Sequence, residues 1–203
     1  MRDMSRTHRV LLAVDIGLKV TTVGLLFLSL LFPDLPQFTG KAMQGRVLSY
    51  GLVMLVVPAI WYWRFRSRPY PVVIDILVTL PFFNDVLGNT LNLYDTVDWW
   101  DDINHFVNWG LLTAGISLLL AEVRVEGRRL PRWNRFLLAF GFAAITAVYW
   151  ELLEYVTFIH NSPELETAYT DTLFDEILGT TGGALGAALV AWFVPPRSEV
   201  DRS

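Results

Sequence analysis

No cysteine occurs among the 203 residues. That absence excludes disulfides, thiolate metal ligands and a cysteine nucleophile. Lysine is nearly missing too, present only as Lys19 and Lys41, so arginine carries almost all the positive charge, a usage that points to a GC-rich bacterial genome. Histidine occurs at His8, His105 and His160 alone. No glycine-rich loop precedes a lysine, and neither a Gly-x-Ser-x-Gly elbow nor a His-Glu-x-x-His pair is present. Phosphate-loop, serine-hydrolase and zincin chemistries therefore have no support.

What remains is mostly apolar. Hydrophobic residues make up 53% of the chain, its mean hydropathy is positive, and apolar runs near bilayer-crossing length recur along it. The composition implies an all-α polytopic membrane protein, a single transmembrane domain over residues 1–203. The runs predict six spans, at about 10–32, 47–63, 71–88, 102–121, 136–159 and 172–194. A basic head with Arg2, Arg6 and Arg9 precedes the first, as in a signal peptide. Only Pro33-Asp34-Leu35-Pro36 follows it, without a small-residue cleavage site, so an uncleaved span is expected. Asp15 and Lys19 lie one turn apart inside it and are expected to form an internal ion pair, with Lys19 reaching toward an interface. The third span carries Asp75, Pro81, Asn84 and Asp85; Pro81 predicts a kink, with a broken helix as the alternative. Pro195-Pro196 is expected to end the sixth.

Arginine placement sets the expected topology. The head, the loop after Trp61-Tyr62-Trp63, the loop from Glu122 to Arg135 and the tail hold every arginine except Arg46. The intervening loops are acidic, with Asp95, Asp98, Glu164 and Glu166. The positive-inside rule then places both termini in the cytoplasm of a plasma (inner) membrane protein. Arginines at membrane edges suit anionic lipid rather than nucleic acid. His8 and His160 read as interfacial.

Under that topology the polar motifs share one depth. Asp101, Asp102 and His105 open the fourth span, Glu151 and Glu154 lie near the outer end of the fifth, and Asp171, Asp175 and Glu176 open the sixth. Asn84 and Asp85 leave the third on the same side. Asp101 and Asn108 fall on the helix face of His105 by their offsets of four and three. Asp171, Asp175, Gly179, Gly182 and Gly186 form one stripe, with Gly183 and Ala187 beside it. Small residues at this spacing let membrane helices approach closely, so the acids above them are expected to point into the bundle. In the fifth span Glu151, Ala147, Ala144 and Phe140 trace a similar line, and Gly110 and Gly115 lighten the fourth.

One histidine among carboxylates is hard, oxygen-rich ligation suited to Mg, Ca, Mn or a mixed Zn site. The expected ligands are Asp101, His105, Glu151, Glu154, Asp171 and Asp175, with Glu151 or Glu154 free to act as general base. The alternative is that the outer acids are solvated, with Asp101 and Asp171 capping helix N-termini.

The order Trp-Asp-Asp-Ile-Asn-His-Phe, then Trp-Glu-Leu-Leu-Glu-Tyr, then Asp-Thr-Leu-Phe-Asp before a Gly-Ala run resembles the YjdF-like family of bacterial inner-membrane proteins. It is also distantly similar to the VanZ-like proteins. The resemblance runs from Asp95 to Ala188, the first two spans matching only in being apolar, and its pattern falls on Asp101, His105, Glu151, Glu154, Asp171 and Asp175. It implies a site and names no reaction.

Two functions are compatible with such a site. In one, a bound metal activates water against a lipid or headgroup substrate from the outer leaflet. In the other, the site binds a cation or cationic headgroup without chemistry, in transport, sensing or an accessory role. A continuous polar path to the cytoplasm would favour transport, and only Asp15, Lys19 and Asp75 offer one.

Overall fold

The computed structural model describes residues 5–157, 159–161 and 163–194. Arg2, the Pro195-Pro196 stop and the charged tail lie outside the described residues, as does the side chain of Glu164. Six helices among the described residues are long and apolar enough to cross a membrane. The architecture is an all-α membrane bundle.

Helix α1, Arg6–Leu31, begins where the Ser5 side chain accepts a hydrogen bond from the His8 backbone N–H, at 3.2 Å. Its buried residues, Asp15, Thr22, Leu26 and Ser29, form a narrow stripe, while Val14, Val20 and Phe27 are exposed in the way lipid contact requires. Helix α2, Met43–Ile60, continues through a π-helical turn, Trp61–Phe65, just after Pro58. Helix α3, Val72–Thr90, is unbroken through Pro81. The broken-helix alternative is thereby excluded: the proline removes one backbone donor without ending the helix.

A single turn, α4 (Leu93–Thr96), sits within the polar connection to α5, Trp100–Glu122. The basic loop that follows is a small hairpin, with β1 (Arg124–Val125) antiparallel to β2 (Arg128–Arg129). Its two turn residues, Glu126 and Gly127, both have positive φ, of 52° and 78°, as a type I′ turn demands. Helices α6, Arg132–Thr157, and α7, Ala168–Phe193, complete the bundle, with two 3-10 turns between them.

The most extensive helix contact is α5 with α7, followed by α6 with α7. At the other side α1 packs on α3, and α3 joins the two halves through α5. Gly115 fits against Ile74, Leu77 and Val78 at that joint. The α5–α7 seam requires glycine. A Cβ at Gly182 would overlap the backbone carbonyl of Phe106, and one at Gly186 the carbonyl of Gly110. Phe106 meets Gly182 and Gly110 meets Gly186, so α5 and α7 run parallel, with α6 returning between them. The buried stripe on α6 is Arg135, Ala139, Ala143, Ala147 and Glu151, which corrects the expected line through Ala144 and Phe140. A stripe advancing by four residues at every step slants across the helix, following the i±4 ridges along which helices cross.

Candidate metal centre

The seam sets the depth of the polar residues. Gly179 lies under the Trp109 ring, 2.5 Å from where a Cβ would stand. One turn before each of these residues come Asp175 and His105, so the contact that seats Trp109 on Gly179 also brings carboxylate and imidazole together. Thr113 and Ala143 crowd Gly183 below.

Three helices converge on the His105 ring. Its Nε2 is 3.7 Å from Asp101 Oδ1 and 3.7 Å from Asp175 Oδ1. Its Nδ1 is 3.8 Å from Glu151 Oε1. These separations are too long for hydrogen bonds. Two donors that bind one cation at roughly 2.0–2.4 Å stand about 3–4 Å apart, so the spacing fits shared coordination. Donor atoms of Asp101, His105 and Asp175 all lie within 4.8 Å of one another, as do those of His105, Glu151 and Glu154. His105, Glu151 and Asp175 are buried, while the Asp101 side chain is 47% exposed and leaves the centre an open side. Among the described residues no lysine or arginine forms an ion pair with these carboxylates. Clustered carboxylates repel unless a cation or protons sit among them. The group can geometrically hold a metal ion.

The other expected ligand and its neighbours fall elsewhere. Asp171 is exposed and joins neither group of donor atoms. It sits in the first turn of α7, which starts at Ala168, at the exposed rim of the centre, where its charge still acts on Asp101, Glu151 and Asp175. The capping alternative is also corrected: the N-cap residues are Trp99 and Thr167, neither with a side-chain cap bond. Asp98 and Asp102 are exposed. Asn108 serves a different contact from the one its spacing suggested. Asn84 Nδ2 donates to Asn108 Oδ1 at 3.0 Å, and Asn108 Nδ2 donates to Asn104 Oδ1 at 3.1 Å, tying α3 to α5.

A second cluster borders this one and was not foreseen. Arg46 pairs with Asp85, and Tyr50 donates to the same carboxylate oxygen at 2.7 Å. Tyr94 donates to the other oxygen at 3.0 Å. Burial and the Asp85 carboxylate push the Tyr94 phenol above its ordinary pKa. The signal available in the sequence was Arg46 itself, the one arginine that broke the loop pattern. Its charge reaches Glu154 as well as Asp85. His8 is half-buried beside a cavity at the far end of the bundle, and His160 Nδ1 lies 3.1 Å from the Tyr155 carbonyl.

Residues 18–195 match the family described as "Predicted membrane protein (DUF2238)". The chain belongs to this family. The match takes in α1 from Leu18 onward and the other five long helices whole, so family likeness extends well beyond the Asp95–Ala188 stretch that carries the motifs. No curated protein and no solved structure matches the chain.

Proposed function

We propose that this member of the DUF2238 family binds one divalent cation at the outer ends of α5–α7 and uses it to hydrolyse a lipid or headgroup substrate. The observation that carries the reading is the imidazole with a carboxylate oxygen 3.7 or 3.8 Å from each ring nitrogen. A neutral imidazole has one lone pair and one N–H. Nε2, facing Asp101 and Asp175, is the ligand nitrogen, which leaves the Nδ1–H on the side of Glu151. One cation therefore suffices for the cluster. A cation held there supplies Lewis acidity and lowers the pKa of bound water. Glu154, close to Glu151 and His105, would serve as the general base for such a water. Oxygen-dominated ligation favours Mg, Ca or Mn, with Zn compatible through His105.

The arginine distribution supports cytoplasmic termini and an outward-facing site in a bacterial inner membrane. The resemblance to YjdF-like proteins falls on the same residues. In the non-catalytic alternative the site only holds a cation or a cationic headgroup; a carboxylate left over after coordination, such as Glu154, favours the enzyme. Metal analysis of the protein purified without chelator tests the site, and headgroup or phosphate release from phospholipid vesicles tests the chemistry. Glu154→Gln should keep the metal and lose hydrolysis. Bound metal with no release from any vesicle composition would leave the non-catalytic reading standing.

A further inference from the structure

The opposite end of the bundle carries a third buried charge cluster, independent of the metal-site reading. Lys19 Nζ lies 3.2 Å from Asp15 Oδ2 and also pairs with Asp75 Oδ2, from α3. The expected internal pair is thus a triad, its third member coming from another helix. The Tyr70 hydroxyl donates to the same Asp75 oxygen. Asp15 is 2% exposed and Asp75 0%. The remaining oxygen of each, Oδ1, is buried without a hydrogen-bond partner.

Two carboxylates and one ammonium sum to a charge of −1 when all are ionised. A net charge buried among membrane helices is expensive, and two carboxylates that share one ammonium need one more positive charge. α1 supplies Asp15 and Lys19, α3 supplies Asp75, and the segment before α3 supplies Tyr70. The charged groups acting on Tyr70 are Asp75 and Asp15. Among the described residues Lys19 is the one cation paired with Asp15 and Asp75, so the missing charge is not met there.

Tyr70 gives the cluster an outlet. A cavity of about 850 Å³ lies beside it, lined among others by His8, Trp61, Arg68 and Tyr70. Trp61 packs edge-on against the Tyr70 ring at 5.2 Å, and its Nε1–H donates to the Arg68 carbonyl at 2.9 Å. Tyr70 thus has its ring on the cavity and its hydroxyl on Asp75. Burial and the Asp75 carboxylate raise the pKa of this phenol, so it stays a proton donor.

We propose that Asp15 and Asp75 share one exchangeable proton, taken up from cavity water through the Tyr70 hydroxyl. Tyr70 passes its proton to Asp75 as it accepts one from hydronium. The net change is hydronium plus carboxylate giving water plus carboxylic acid, and only O–H bonds form and break. A proton fits better than an alkali cation because Lys19 already occupies one oxygen of each carboxylate. The two oxygens left over are too few to replace a cation's hydration shell, whereas a proton needs only one carboxylate oxygen.

Infrared difference spectroscopy of the protein in phospholipid nanodiscs, stepped across pH, tests this. The wild type should show a protonated-carboxyl C=O band at neutral pH that shifts in heavy water. Asp15→Asn leaves Lys19 and Asp75 as a neutral pair, so it should fold and lose the band. Asp75→Asn should lose it as well; if that variant does not fold, Asp15→Asn decides alone. Tyr70→Phe should keep the band and slow its deuterium shift several-fold. A wild type without the band, or a band untouched by Asp15→Asn, would overturn the proposal. So would a thermal shift produced by sodium or potassium at this cluster and abolished by Asp15→Asn.

Discussion

His105 and Asp175 stand 3.7 Å apart because α7 has no side chain at Gly182 to hold it off the Phe106 backbone. The polar centre and the glycine seam are therefore one structure: whatever separates α5 from α7 also pulls the carboxylate off the imidazole.

The seam makes a sharp prediction. Gly182→Ala adds a single methyl group, yet that methyl meets the Phe106 carbonyl, and overpacking of this kind destabilises by about 1–3 kcal/mol. Gly24, with nothing within 4 Å of its Cβ position, should accept alanine without loss. Thermal unfolding in detergent compares the two, and equal melting temperatures would contradict the packing described.

Metal dependence is the second expectation. A ligand bound only to the folded state stabilises it by about 2.7 kcal/mol at a hundredfold excess over Kd. Chelation should lower the melting temperature of the wild type. His105→Ala and Asp175→Asn should each shrink that response, whereas Asp98→Asn, exposed in the connection before α5, should leave it intact. A protein that purifies metal-free and gains no stability from Mg, Ca, Mn or Zn would remove the site.

The Arg46–Asp85 pair is sheltered, with 12% and 11% of the two side chains exposed. Removing one partner of a buried pair typically destabilises by about 3–5 kcal/mol, while replacing both with apolar residues is close to neutral. Arg46→Met and Asp85→Leu should each be severe, and the double variant milder than either. Additive losses in denaturant or thermal unfolding would show that the pair is not an energetic unit.

Alkaline pH should weaken the fold. Tyrosine ionises near pH 10 when unfolded, whereas Tyr70 and Tyr94 are raised above that value, by burial first and then by Asp75 and Asp85. Below pH 10 both states keep the proton and the full stability is present. As pH rises beyond 10 the unfolded chain ionises first and stability falls. Tyrosinate absorbance should rise in fewer steps for native protein than for denatured, and Tyr70→Phe and Tyr94→Phe should leave the native titration unchanged between pH 9 and about 11.

Orientation is testable because the chain has no cysteine of its own. Cysteines placed at Arg66 and Arg129 should resist impermeant thiol reagents in intact cells, and one at Asp95 should label. Labelling of position 129 from outside would reverse the proposed topology.

The long helices and the convergence of acids were legible in the sequence because apolar length and helical period are local properties. Asp101, His105, Glu151, Glu154 and Asp175 could be aligned by counting turns alone. Asp171 aligns with Asp175 by the same count, but its exposure depends on how far the neighbouring helices cover the first turn of α7, which spacing does not state. The partners of Lys19 and Arg46 were hidden for another reason. Asp75 lies 56 positions from Lys19 and Asp85 39 from Arg46, so each pair depends on how α1 or α2 registers against α3. The slant of the α6 stripe was lost the same way: a crossing angle belongs to two helices and neither sequence states it.

The parallel seam between α5 and α7 also dictates an order of biogenesis. During synthesis α5 and α6 leave the ribosome before α7, and until Asp175 and the glycine stripe arrive, His105 and Glu151 have no third wall. The centre can therefore close only once α7 has been made and has packed on α5.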